Sequence, residues 1–565
     1  MADTMTRAVV WRGLIAAAND AGRVLKRTAF SGAIQEGQDF SIGVFDEQGR
    51  MIVQGDFSPG HLGAMPSVIK HVEDYFPRGS LSAGDAVLLN DLFMGSGHLL
   101  DFFLATPVFV EKEFMGYAVS CAHMADVGGA SPGSQQVEGI FDFYQEGIRF
   151  LPTLMWHEGE AVGDVHRILA ANVRVPDTVL GDIQAMRNAN LVVEKRFSEL
   201  VMNQGKAAFR QVCDEVLSIS EAAMRAEISK WPNGVYSATD YYDDFGPGTD
   251  SLKISVQVTV NDDSVDFDFS NSSPQTRSGI NAVRNYLDSY TLFSVKSMAD
   301  DGQVPQNAGS MAPINITCTP GTVVSAIPPA GGGARAIMQQ RIVDVIFQAM
   351  AEAIPDRVLA PSSHWANPII GGYDPETGKQ FVNYEIVVGG FGGRPDRDGV
   401  EAMSASFNID TVPVEIAEAA APLRVLRHSF IQDSAGVGQF RGGFGVRKDI
   451  QFFGKDMTLT NLGERHVFQP PGILGGEPGI SASTVLNPDK ETAKELHSKG
   501  TYFLDYADVV SFRLSGGGGY GSASERSAKA VAADVEAGLV TESAALANYP
   551  AYRESQPLKT RKEAK

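Results

Sequence analysis

Apolar residues recur with helical period from residue 6 to 27, after which the pattern changes. "DFSIGVFDEQGRMIVQGD", residues 39 to 56, alternates on both sides of a polar turn at Glu47 to Gly49 and predicts a hairpin. A second hairpin is expected from "FFLATPVFV" (102 to 110) and "FMGYAVSCA" (114 to 122), joined by "EKE". Residues 30 to 130 are therefore read as strands and functional loops. Helical spacing resumes at residue 181 and holds to Trp231, where Pro232-Asn233-Gly234 stops it. Beyond that break, residues 252 to 269 alternate about "NDD", the mark of a half-exposed antiparallel hairpin. A last long helical pattern runs from about 334 to Ile354, ahead of Pro355. Glycine loops dominate the rest of the chain, at 389 to 399, 433 to 446 and 470 to 479, and imply tight turns and close backbone approaches. The final ten residues are polar, and a frayed end is expected there.

At 565 residues the chain exceeds what a single core usually covers. The expected class is α+β: multi-domain, with mixed and antiparallel sheets, flanking helices and many glycine-rich loops. The divisions fall at 1–235, an N-terminal metal-site domain ending in a long helical region; 236–515, a β-rich domain with glycine loops; and 516–565, a C-terminal glycine loop, helix and tail. With 43% hydrophobic and 20% charged residues, the composition is that of a folded globular protein. A formal net charge of -21 argues against nucleic acid or anionic lipid as partner, since both need clustered Lys and Arg. Three cysteines far apart suit free thiols in a reducing compartment. The N-terminus lacks the continuous apolar stretch of a signal peptide, and no run approaches the roughly 20 apolar residues of a membrane span. A cytoplasmic location is the expectation.

The second hairpin is flanked by two copies of one spacing, His98-x-x-Asp101 and His123-x-x-Asp126. Antiparallel pairing would gather all four at its open end, with Asp101 falling opposite Met124 to within two positions. Imidazole and carboxylate donors suit Zn, Mn or Fe(II). Spacing alone leaves a second reading open, in which each Asp caps a turn and each His satisfies a core hydrogen bond. Glu36, Asp39 and His61 are further candidates, for each of which a turn or loop role is the plainer explanation. No G-x-x-x-x-G-K-[ST] loop and no G-x-S-x-G elbow occurs. Gly516-x-Gly518-x-x-Gly521 comes after a strand pattern but lacks the later strand and acidic ribose partner of a dinucleotide site, so structural turns or a backbone channel lining are expected. Arg335 after "PPAGGGA" and Arg394 after "GGFGG" could offer a guanidinium to a phosphorylated intermediate, though a tight turn with a solvated Arg is the plainer reading.

Across nearly the whole chain, "RTAFSGAIQEGQDFS", "HLGAM", "LNDLFMGSGHLLDFF", "AHMADVGGASPGS", "NVRVPDTVLGDIQA", "DSAGVGQFRGGFGVRKD", "GERHVFQPPGILGG" and "SGGGGYGSASER" succeed one another in a fixed order. This series resembles the hydantoinase B/oxoprolinase family, the B-type subunits of ATP-dependent cyclic amide hydrolases, related to acetone and acetophenone carboxylase subunits. The resemblance implies a divalent metal, Zn or Mn foremost, with His98, Asp101 and His123 as ligand positions and Asp39 as a further one; the catalytic base that activates water would be His123, if it is not a ligand, or Asp126. It implies a hetero-oligomer with a hydantoinase A type ATPase subunit, which binds ATP and Mg and phosphorylates a carbonyl oxygen. The small-molecule substrate would be a hydantoin, N-methylhydantoin, 5-oxoproline or another lactam. A ketone carboxylase subunit is the alternative, and a non-catalytic scaffold for the ATPase a third. Departures from the family's usual motifs, such as Leu92-Phe93 for Pro-Tyr and Met124 for a second His, bear on the substrate more than on the ligands.

Overall fold

β1 (Phe40–Asp46), β2 (Met51–Gln54), β3 (Ala86–Leu89), β4 (Asp101–Val110), β5 (Glu113–His123), β6 (Thr153–His157) and β7 (Glu160–Ala161) form a sheet in the order β2-β1-β5-β4-β3-β6-β7. The computed structural model describes residues 4–556 except 56, 300, 301, 303, 404, 405 and 408, so most of the expected frayed tail lies outside the described residues. Strands β4 and β5 are central and buried on both faces, which is why their sequences read as nearly unbroken apolar runs. Phe102, Leu104 and Val108 join the cluster under the helices Thr4–Thr28 and Pro176–Gln204. Phe103 and Ala105 face the other way, onto Met65, Val68 and Val72 of the helix Met65–Tyr75. The turn between β4 and β5 is the two-residue Glu111-Lys112, both at positive φ, 51° and 70°, as a tight hairpin requires.

Three expectations need correction. The stretch read as one long helical region is two helices, Pro176–Gln204 and Lys206–Ile228, parted at Gly205, whose φ of 84° disfavours a side chain. The helix expected from residue 334 opens as a 3-10 turn, Arg335–Met338, and becomes α-helical over Gln339–Met350. The helix Met65–Tyr75 lies inside a stretch read as strands and loops, although its buried residues 65, 68, 69 and 72 carry the helical spacing.

Past the break at Pro232, β8 (Gly234–Tyr242), β9 (Leu252–Asn261), β10 (Ser264–Asp268) and β11 (Ile314–Thr317) make a second sheet in the order β11-β10-β9-β8. The expected hairpin is β9 with β10. A third sheet pairs β12 (Ile369–Tyr373) with β13 (Gln380–Tyr384) and continues through Lys455–Thr460 and Thr501–Leu504. A five-stranded sheet takes Leu423–Phe430, Val446–Phe452, Val509–Arg513, Ser483–Leu486 and Lys494–Leu496 in that spatial order. Arg341 and Arg465, both fully buried, tie these parts together: Arg341 pairs with Asp240 of β8 at 3.1 Å and Glu464 at 3.0 Å, and Arg465 with Asp344 at 2.5 Å. Among the described residues no helix is long and apolar enough to cross a membrane.

The glycine loops meet around residues 515–521. Gly517 donates to Gly443 and accepts from Gly436, while Gly518 donates to Pro361 and accepts from Gly393. Gly519 donates to Glu477 and accepts from Ile473, and Tyr520 exchanges hydrogen bonds with Phe440. A strand with side chains has neighbours on two sides only, because Cβ atoms occupy the other two directions. This segment is hydrogen-bonded to backbone from four separate stretches, near 361, 390–393, 434–443 and 473–477. Of the tight turns and close backbone approaches expected of these glycines, it is the close approach that packs this segment.

Candidate metal centre

Asp101 begins β4 and His123 ends β5, and the two are direct cross-strand partners, one position from the register expected. Asp39 immediately precedes β1, which pairs with β5 on its other side, and the backbone N-H of His123 donates to the Asp39 carbonyl at 3.1 Å. His98 sits in the turn ahead of β4, and His61 on the short helical turn Pro59–Leu62 after β2. All five side chains are buried.

They close around Asp101. Its Oδ1 lies 2.7 Å from Nε2 of His98 and 3.0 Å from Nδ1 of His123; its Oδ2 lies 3.3 Å from Nε2 of His61. Asp39 stands 3.6 Å from His61 and 3.9 Å from His123. Nε2 of His98 faces Asp101 without the alignment of a hydrogen bond, and both carboxylate oxygens of Asp39 are buried with no donor. A buried carboxylate with no hydrogen-bond donor is costly to keep charged and calls for a cation. His98, Asp101 and His123 offer ligand atoms within 4.8 Å of one another, as do His61, Asp101 and Cys121. The first group is the better donor set. Burial, followed by the neighbouring Asp101 charge, holds the Cys121 thiol well above its usual range, whereas burial and the nearby Arg335 charge bring His98 down to about 3, leaving a neutral imidazole.

Burial opposes charge on Asp101, but His98, His61 and Arg335 outweigh it and hold its carboxylate well below the ordinary range. For Asp39 burial wins over His123 and His61, and its carboxyl is raised. Nδ1 of His98 lies 3.2 Å from the Gly333 carbonyl, which fixes that ring's tautomer and aims Nε2 at Asp101.

Arg335 overturns the expectation of a solvated turn. It is buried, its Nη2 is 2.5 Å from Oδ2 of Asp101, its Nε donates to the Ser96 carbonyl at 2.7 Å, and its guanidinium lies 4.0 Å from the Tyr286 ring. Ser96 donates to the same carboxylate oxygen. Arg394 rests on the Phe391 ring. Asp126 is not drawn into the cluster. Its Oδ1 accepts from the backbone N-H of Gly128 and Arg174, its Oδ2 from Gly133 N-H and the Arg174 guanidinium, at 2.8 to 3.1 Å. Glu36 is half-buried among Arg23, Lys26, Arg27 and Gln35, apart from the centre.

Besides Arg335, three contributors carry no local sequence signal: Gln135, Glu146 and Tyr384. The Gln135 carboxamide nitrogen is 3.2 Å from Nε2 of His123, and the Tyr384 ring is 4.9 Å from the His123 ring. Glu146 is buried and accepts from Gly333 N-H at 2.7 Å, so the Gly333 peptide links it to His98; its second oxygen has no partner. Burial pushes its carboxyl from 4.5 up to about 8. The stability this group contributes is complete below about pH 4.5 and is lost as the pH rises toward 8. Glu146→Gln keeps the acceptor and removes the titration. Thermal unfolding of this variant should match the wild type near pH 5 and show greater stability than the wild type above pH 8, and equal stability at both would contradict a neutral, buried Glu146.

The hydantoinase B/oxoprolinase family model matches residues 3–523. The chain belongs to that family. Within it, the caprolactamase subunit beta of Pseudomonas jessenii is 29% identical over 555 residues, 95% of this chain and 94% of that one. The crystal structure of ATP-dependent caprolactamase from the same organism superposes with a TM-score of 0.90 at 28% identity, over 97% of this chain and 96% of that one. A nucleotide-free acetone carboxylase structure gives a TM-score of 0.89 at 19% identity, over 97% of this chain and 79% of that one, which shows a shared fold.

Proposed function

We propose that the chain is the metal-containing B subunit of an ATP-dependent amidohydrolase that opens a cyclic amide. A hydantoin, N-methylhydantoin, 5-oxoproline or another lactam would be phosphorylated on its carbonyl oxygen by a hydantoinase A type ATPase subunit, which binds ATP and Mg. The observation that carries this reading is the convergence of His98, Asp101 and His123 on one point beside the donor-free carboxylate of Asp39, in a chain 28% identical to an ATP-dependent caprolactamase. The ATP requirement comes from the substrate. An amide carbonyl is a poor electrophile with a poor leaving group, and an unstrained ring gives little driving force for opening.

His98 through Nε2, Asp101 through Oδ1 and His123 through Nδ1 would hold the ion, with Asp39 the fourth ligand. A divalent ion such as Zn or Mn would supply Lewis acidity to water and to the carbonyl oxygen. Arg335 and Ser96 hold Asp101 by Oδ2 and leave Oδ1 facing the two imidazoles. Turning the Gln135 amide by 180° gives its partnerless oxygen a hydrogen bond from Nε2 of His123 and frees Nδ1 as the ligand atom. We assign the proton-accepting role to His61 rather than Asp126. Nε2 of His61 faces both Asp39 and Asp101, while the Asp126 oxygens are fully engaged by backbone and Arg174.

The test is the purified chain with its ATPase partner, given cyclic amides and ATP. Ring opening in step with ADP formation is expected. ATP cleavage without ring opening of any cyclic amide would overturn the reading, and a bicarbonate-dependent product bearing a new carboxylate would assign the ketone carboxylase alternative.

A further inference from the structure

We propose that Tyr384 is a catalytic residue of this centre, donating its phenolic O-H to the oxygen that bridges carbon and phosphorus in the phosphorylated amide, as negative charge builds there when that C-O bond breaks and phosphate leaves. The proposal rests on the cyclic amide reading above and adds to it a residue from a different sheet. Tyr384 closes β13, opposite Ile369 of β12, whereas the candidate ligands stand at the end of the first sheet. The third sheet leans on the loop of the centre: Gly371 of β12 packs so closely on Pro132 that an added Cβ would fall 2.2 Å from it. That contact brings the end of β13 over His123, with the Tyr384 and His123 rings 4.9 Å apart and inclined at 46°.

What singles this tyrosine out is its hydroxyl. Buried tyrosines usually find a hydrogen-bond partner, and the neighbouring ones do. Tyr286 and Tyr290 both donate to the Gln339 side chain, at 2.8 and 2.5 Å, and Tyr242 donates to the Ile337 carbonyl. Among the described residues Tyr384 alone of the tyrosines has a buried hydroxyl oxygen with no partner. Gln135 lies beside it without the alignment of a hydrogen bond. Leaving a buried donor unpaired is costly, and the described chain recovers that cost nowhere itself. An acceptor supplied by substrate would recover it. The unpaired groups nearby are complementary: Asp39 and His98 have lone pairs for a cation, and Tyr384 has an O-H for an oxygen. A neutral, pre-positioned donor of this kind stabilises that oxygen more as it takes on charge in leaving than in the bound phosphorylated substrate, which is the condition for raising kcat rather than merely tightening binding.

Tyr384→Phe keeps the ring against His123 and deletes only the hydroxyl, so folding is expected to survive. Wild type and variant, each in complex with the ATPase partner and loaded with the same divalent metal, are compared on a cyclic amide that the wild type opens. The expected result is a fall in kcat of about 10²- to 10³-fold, with KM within about threefold and with bound metal and thermal midpoint unchanged. A kcat within about threefold of wild type would refute the proposal and leave the cyclic amide reading standing. A loss of activity that tracks loss of metal would refute it as well, by showing a structural role. A wild type inactive on every cyclic amide would remove the reading on which the proposal stands.

Discussion

Asp101→Ala is expected to empty the centre of divalent ion and to cost the fold about 3–5 kcal/mol at the same time. Both effects come from one position. Asp101 is 1% exposed and accepts from Ser96 and Arg335 while His98, His123 and His61 approach the same carboxylate. Without it only Asp39 remains as an anion of the centre, near His61 and His123, and affinity for Zn or Mn should fall by at least the 10- to 100-fold typical of losing even an outer-sphere partner. The guanidinium of Arg335 is left buried and uncompensated, which supplies the stability loss. The two effects can be separated. Adding Arg335→Met removes the stranded charge and should restore much of the thermal midpoint without restoring metal binding. Metal content after dialysis and thermal unfolding of the single and double variants measure both arms. An Asp101→Ala variant that retains a full equivalent of metal would mean that the ion is held by a different set of ligands.

How much of this was legible in the chain depends on the range of the interaction. The convergence of His98, Asp101 and His123 could be derived because the β4–β5 hairpin is local: its alternation and turn set the register to within one residue, and the register places the side chains. Asp39 enters as a ligand position only through the family resemblance, because the β1–β5 pairing that brings it in joins strands some seventy residues apart and has no local signal. His61 was undervalued because its place depends on the chain crossing back after β2 to lie between two carboxylates, and no periodicity reports that. Asp126 shows the opposite error. It shares the spacing His-x-x-Asp with Asp101, but β5 has ended before it, and the loop turns its carboxylate onto Gly128, Gly133 and Arg174. Arg335 and Tyr384 arrive from more than two hundred residues downstream. Their only trace in the sequence is the glycine run ahead of Arg335, which admits a backbone close enough for Glu146 to reach Gly333.

Gly517→Ala should prevent the chain from reaching its native packing, a larger effect than the usual core substitution. Gly517 is not among the glycines with left-handed, positive-φ backbone, so the penalty is not conformational. A Cβ there would sit 2.0 Å from the Phe391 carbonyl oxygen and 2.4 Å from its carbon, and these are backbone atoms that cannot rotate away. Relief would require moving the 389–393 segment, whose Gly390 and Gly393 are hydrogen-bonded to Ser515 and Gly518, so one methyl would unpick several backbone hydrogen bonds together. Each buried group left unpaired costs about 1–3 kcal/mol, so several together become comparable to the roughly 5–15 kcal/mol margin of a domain. Gly32→Ala is the matched control, because its Cβ would meet only a Val412 methyl at 3.9 Å, an ordinary contact. The control should express and melt within about 1 kcal/mol of wild type, while Gly517→Ala should be recovered mainly as insoluble or partly unfolded protein by soluble yield and far-UV circular dichroism. Equal behaviour of the two variants would mean that the glycines around 515–521 are turn formers after all, and that the four-sided backbone packing does not hold the C-terminal third of the chain together.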